Sequence, residues 1–209
     1  MSKATRAVEL TLEIDARQEE VWRALTESRE IVRWFAPEAK VTPGKEGSVW
    51  LSWGGDWEGD SRIEIWDPPR RLRTVADAPP YDADGKPARD LAPLPIALDY
   101  FLEGQGGTTR LRLVHSGFGQ GAAWDDELEG VSRGWAFELR SLRHYLVRHP
   151  GRERRMAWAR ATTPLPSAQA WRTLADGYLG GFAIEGRSEG DPYEIRTATG
   201  EVLAGKVHV

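Results

Sequence analysis

The feature that most constrains this chain is the run from Asp125 to Arg148. Leu128, Val131, Trp135, Leu139, Leu142 and Leu146 recur there at steps of three and four, which predicts an α-helix with one apolar stripe. It is the largest apolar face in the sequence, and it needs an equally large apolar partner. Asp125, Asp126 and Glu127 fall in the first turn and Arg143 and Arg148 near the end, as the helix dipole favours. His149-Pro150-Gly151 stops the helix.

The preceding residues supply strands for that partner. Val8, Leu10, Leu12 and Ile14 alternate with Ala7, Glu9, Thr11 and Glu13, so Arg6 to Ile14 reads as a half-buried strand. Asp15 is the expected N-cap of a helix over Arg17 to Leu25, with Gln18 completing a capping box. Ser28 starts a second short helix carrying Ile31, Trp34 and Phe35, stopped at Pro37. From Ala39 a meander follows: Ser48 to Trp53, Gly59 to Trp66, Arg71 to Ala76, Ile96 to Leu102 and Thr108 to His115. Residues 77 to 93, rich in Ala, Asp and Pro, read as a long loop, and Gly104 to Gly107 as a turn. One strand, two helices, about six strands and a long helix predict an α+β fold, an antiparallel sheet wrapped around a helix.

The expected division is a domain over 1–150 and a small α/β appendage over 151–209. In the appendage we expect a strand at Met156 to Thr163, a helix at Ser167 to Ala175, and a hairpin of Tyr193 to Ala198 with Val202 to Val209 turning at Thr199-Gly200. Trp171-Arg172-Thr173-Leu174 lines up with Trp22-Arg23-Ala24-Leu25. Tyr193 to Arg196 and Gly205 to Val209 likewise resemble Val49 to Ser52 and Gly59 to Ile65. These matches describe either a degenerate partial repeat or a chance similarity. A lone hairpin is marginal, so it is expected to pair with an existing sheet edge or a second subunit.

Composition narrows the function classes. A net charge of −4 over 209 residues argues against general affinity for nucleic acid or an anionic membrane. The absence of cysteine removes disulfides, thiolate nucleophiles and cysteine-ligated metal sites. No apolar run approaches the ~18 residues of a spanning helix, and the N-terminus lacks a signal-peptide pattern, so a cytoplasmic location is expected.

Several segments in order carry a family likeness: Ile14-Asp15-Ala16, Val21-Trp22-Arg23-Ala24-Leu25, Trp34-Phe35 and Pro43-Gly44. They continue with Pro68-Pro69-Arg70-Arg71-Leu72, Thr108 through Phe118, and Gly134-Trp135. Over residues 6 to 148 this resembles the START-like helix-grip (SRPBCC) superfamily, in the branch of activator of heat shock protein 90 ATPase homologues. The resemblance implies a curved antiparallel sheet gripping a long C-terminal helix, with a hydrophobic cavity between them. The family name also implies docking on a chaperone or regulator, and with it a stress-response role.

His115 follows Leu111 and Leu113 at strand spacing and so points inward. It reads as a buried histidine bonded to backbone or helix, as a ligand contact, or as an acid–base group. The aromatic set Trp34, Phe35, Trp50, Trp53, Trp57, Tyr100, Phe118 and Trp135 reads as core or as the lining of an apolar pocket; Trp50 and Trp53 face opposite sides of their strand. The expected ligand-binding residues are Trp34, Phe35, Trp53, Tyr100, His115, Phe118, Trp135 and Leu139. The acids Asp125, Asp126, Glu127 and Glu129 have no histidine at ligand spacing, so no metal is expected, and no cofactor. Arg140, Arg143, Arg148, Arg152, Arg154 and Arg155 read as a solvated helix end or as the rim of an anionic partner's site. Gly130 and Gly134 read as a close approach of helix to sheet.

No nucleophile elbow, HExxH motif or matched carboxylate pair is present. Binding of a small hydrophobic ligand between sheet and long helix is therefore favoured over catalysis. The alternatives are a chaperone or regulator interaction module, and a cyclase- or hydratase-like enzyme using His115 with an inward acid. A homodimer stays open.

Overall fold

A computed structural model describes residues 5–54, 58–78, 94–120, 122–156, 162–182 and 186–207. The chain divides into two compact units, Met1–Met156 and Ala157–Val209.

The first unit runs β1 (Arg6–Ile14), α1 (Gln18–Thr26), α2 (Ser28–Ile31), β2 (Glu38–Thr42), β3 (Ser48–Ser52), β4 (Glu58–Asp67), β5 (Arg71–Ala78), β6 (Leu94–Gln105), β7 (Thr108–Phe118) and α3 (Ala122–Arg148). The sheet order is β1-β7-β6-β5-β4-β3-β2, antiparallel throughout. The six strands β2 to β7 therefore form one uninterrupted meander, and β1 closes it beside β7. With α3 packed against this sheet, the architecture is an α+β helix-grip fold.

Register sets the two faces. Leu10 pairs with Leu113 and Leu12 with Leu111, while Tyr100 sits opposite both Leu113 and Leu72, so one apolar row crosses the sheet. Trp135, Leu139, Leu142 and Tyr145 of α3 pack on it, with Val131 and Leu146 at the margin. On the opposite face Asp99, only 4% exposed, accepts hydrogen bonds from Arg71 (2.9 Å) and Arg73. Arg71 and Arg112 cover the ring of Phe101 on the same side. The β6–β7 hairpin turns through Gly106 (φ 60°) and Gly107 (φ 95°), successive positive φ values that an L side chain rarely adopts.

Several local expectations are corrected. The N-cap of α1 is Arg17, not Asp15: the Arg17 N–H donates to Glu20 Oε2 at 2.9 Å. Asp15 is instead held by the Thr108 hydroxyl, and Ala16 N–H donates back to Ile14 C=O at 2.8 Å, which delays the helix. The short helix α2 ends at Ile31, leaving Trp34 and Phe35 on the turns after it. Strand β5 continues to Ala78 and β7 to Phe118, so residues 77 and 78 are not loop; 79–93 lie outside the described residues. Gly130 and Gly134 face open space, so no close sheet approach depends on them.

The second unit holds α4 (Ser167–Gly177), β8 (Pro192–Arg196) and β9 (Val202–Lys206). The expected strand at Met156 to Thr163 falls largely on 157–161, outside the described residues. β8 and β9 pair with each other as a two-stranded antiparallel sheet. Their turn is closed locally: Thr197 N–H donates to Glu201 C=O at 2.8 Å, and the Thr197 and Thr199 hydroxyls both reach the Glu201 carboxylate. Among its described residues, Ala175, Thr197 and Val207 are buried.

Candidate functional site

Between the apolar row of the sheet, the turn after α2 and the middle of α3 lies a cavity of about 240 Å³. Strand alternation builds one wall. Val49, Leu51 and Trp53 come from β3 and the residue after it, Leu72 and Thr74 from β5, and Leu98 and Tyr100 from β6. Trp34, Phe35 and Trp135 build the other side.

Phe35 holds the aromatic group together. Its ring stacks on Trp34 (5.0 Å, 17°) and on Trp135 (5.4 Å, 30°), and meets Trp53 edge-on (5.2 Å, 86°). Trp34 is fixed by its indole N–H, which donates to Ala24 C=O at 2.9 Å. Tyr100 meets the Trp135 ring edge-on at 6.2 Å. These contacts leave stiff aromatic walls that do not collapse into the space.

Of the eight expected ligand residues, Trp34, Phe35, Trp53, Tyr100 and Trp135 line the cavity. His115, Phe118 and Leu139 stand outside its lining. His115 does face α3, but the Trp135 indole N–H donates to its Nδ1 at 3.0 Å, and Phe118 packs edge-on at 4.9 Å. Burial holds the His115 imidazole down at a pKa of about 4, so it is neutral near pH 7 and Nδ1 serves as acceptor. It positions Trp135. Leu139, 3% exposed, is core. Trp50 lies on the other face of its strand with the Lys40 ammonium 4.6 Å above its ring, and Trp57 lies outside the described residues.

An acidic residue was missed by the stripe reading. Glu138 sits on the seam Val131, Trp135, Glu138, Leu142, Tyr145, at alternating steps of four and three. Its Oε2 is buried and has no hydrogen-bond partner among the described residues. Burial pushes its carboxyl up to a pKa of about 7, against the opposing pull of the Arg154 guanidinium. Burial, and then the Glu138 charge, raise the Tyr100 phenol above its ordinary value. Arg154 reaches over the same region and donates to Phe35 C=O at 2.7 Å. The Tyr145 hydroxyl, two steps along the seam, donates to the Glu30 carboxylate and accepts the Gly151 N–H at 3.0 Å.

Asp125 pairs with Arg6, and no cluster of His, Asp or Glu among the described residues is arranged to hold a metal. No helix among them is long and apolar enough to cross a membrane.

The family pattern described as activator of Hsp90 ATPase homolog 1-like protein matches residues 15–147. The chain belongs to that family. Among solved structures it is similar to a protein of Mesorhizobium loti at 23% identity and TM-score 0.57, covering 69% of this chain and 99% of that one. It is also similar to CalU16 from Micromonospora echinospora at 26% identity and TM-score 0.52, covering 69% and 78%. The Aha1 dimer from Colwellia psychrerythraea matches at 16% identity and TM-score 0.55, covering 70% and 99%. No curated protein matches the sequence. All three structural matches carry the helix-grip fold of the first unit of this family member.

Proposed function

We propose that the first unit binds a small, flat, hydrophobic ligand in the aromatic cavity between the sheet and α3. The observation that carries this is the cavity itself: about 240 Å³, lined by aromatic and aliphatic side chains that already brace one another. That volume falls just below the ~300–1,000 Å³ of pockets for drug-sized ligands, so the fitting occupant has one or two fused rings. At about 0.5 kcal/mol per non-hydrogen atom, a two-ring ligand of about 12 atoms gains ~6 kcal/mol. That corresponds to a Kd of tens of micromolar, roughly.

Titrating the full chain with 2-methoxynaphthalene while following tryptophan fluorescence tests this, since three of the ten tryptophans line the cavity. We expect a saturable one-to-one change. A linear, non-saturating response would overturn the proposal.

A second reading, docking on a protein partner, is favoured by one observation. Phe137 on α3 is 56% exposed, with Arg133 and Arg140 also exposed within one turn of it. An exposed aromatic ring with basic neighbours is the kind of feature that docking on a chaperone or regulator would use. Loss of partner capture on Phe137→Ser, with cavity binding intact, would separate the two roles.

A further inference from the structure

We infer that the Tyr100 and Thr74 hydroxyls are the polar anchor of the aromatic cavity, and that its ligand is a neutral aromatic compound bearing a carbonyl oxygen, such as an aryl ketone. The inference rests on the ligand-binding proposal above and adds to it the chemistry of the bound molecule.

None of the described residues that line the cavity is charged. An ionised ligand group would lose its water there without gaining a counter-charge, so the fitting occupant is neutral. Most polar side chains of the lining are already engaged. Ser61 donates to Val49 C=O at 3.2 Å, and the indole N–H groups of Trp34 and Trp135 donate to Ala24 C=O and His115 Nδ1. Trp53 is part-exposed. Tyr100 and Thr74 differ from these: they are only 6% and 7% exposed, and neither hydroxyl has a hydrogen-bond partner among the described residues. Neither oxygen is shut off from open space as Glu138 Oε2 is, and the open space that both residues line is the cavity.

Register brings the two together. Tyr100 of β6 pairs with Leu72, and Thr74 of β5 with Leu98, so they are diagonal neighbours on the inner face of the sheet. The phenol projects further from the sheet than the short threonine side chain, which sets the two donors at different depths of one wall. Burial, and then the Glu138 charge, keep the Tyr100 phenol protonated, so it has a proton to donate. A buried donor left unpaired destabilises a protein, and an acceptor on the ligand relieves that. A carbonyl oxygen accepts up to two hydrogen bonds and brings no donor of its own. A ligand hydroxyl would add a further donor to a wall that already holds two unmade ones.

NMR titration of the full chain with 2-acetylnaphthalene and with 2-isopropenylnaphthalene tests the inference. The two probes share one shape and differ in C=O against C=CH2. The readout is the affinity for the ketone relative to that for the alkene, so a change that merely loosens the cavity, and weakens both, leaves it unmoved. We expect this ratio to fall about three- to tenfold in Tyr100→Phe, which keeps the ring and removes only the hydroxyl, as the loss of one hydrogen bond allows. Thr74→Val, which keeps the branched shape, should lower it similarly and guards against a folding failure of the first variant. A ratio unchanged in both variants would overturn the role of the hydroxyls. Failure of both probes to bind the natural sequence would instead remove the ligand-binding proposal, and this inference with it.

Discussion

Glu138 and His115 contribute to stability with opposite pH dependence. His115 is depressed to a pKa of about 4 from 6.5, so the fold favours its neutral form. Its contribution is fully present above about pH 6.5 and is lost as pH falls through about 4. Glu138 is raised to about 7 from 4.5, so the fold favours its protonated form. Its contribution is fully present below about pH 4.5 and is lost as pH rises through about 7. Glu138→Gln removes the second term. Thermal melts of the two proteins should therefore diverge in favour of the variant as pH rises from about 4.5 to about 7, by about 1–2 kcal/mol after allowance for partial exposure. A constant difference across that window would show that the carboxyl is solvated. For His115, NMR titration of the imidazole should give a midpoint well below 6, near 4. A midpoint at its ordinary value would mean that the Trp135 contact is not kept in solution.

At the scale of elements, α3 was legible because its apolar steps are long and regular, and the meander because each strand is bounded by turn residues. Leu139→Ala should cost about 2–5 kcal/mol in urea unfolding, since Leu139 is embedded among Leu142, Trp135 and the sheet. A loss under about 1 kcal/mol would place that face outside the core. Asp99→Ala should cost about 2–3 kcal/mol by leaving the Arg71 and Arg73 guanidiniums side by side on one face of β5 without their carboxylate, less than a fully buried pair because both guanidiniums are partly exposed. Glu138 escaped notice for a physical reason. An acid within an amphipathic helix normally faces water, and only the four–three spacing from Val131 to Tyr145 places it inward. The start of α1 was misjudged because Asp15 and Arg17 compete for the same role. The hydroxyl of Thr108, 93 residues away in sequence, takes Asp15 out of that competition. The lining role of Val49, Leu51, Leu72 and Leu98 was equally hidden, because periodicity marks an inward face without saying where that face leaves a space.

At the scale of the whole molecule, strand periodicity predicted a sheet, but the pairing of β1 with β7 was not legible, since nothing in either strand's pattern names its neighbour. The first unit has its own seven-stranded sheet, helix stripe and core, so we propose that residues 1–156 fold without the remainder. The truncated chain should melt cooperatively and keep its affinity for 2-methoxynaphthalene. A non-cooperative melt would make residues 157–209 part of its core. Among its described residues the second unit buries few, and Val202 and Leu203 of β9 are 48% and 42% exposed, so the strands β8 and β9 have little apolar burial there. Intermolecular NOEs from bound 2-methoxynaphthalene report on whether the aromatic cavity is the binding site. We expect contacts to the ring protons of Phe35, Trp53 and Trp135. Contacts confined to Phe137 and Val147 on the exposed side of α3 would contradict it.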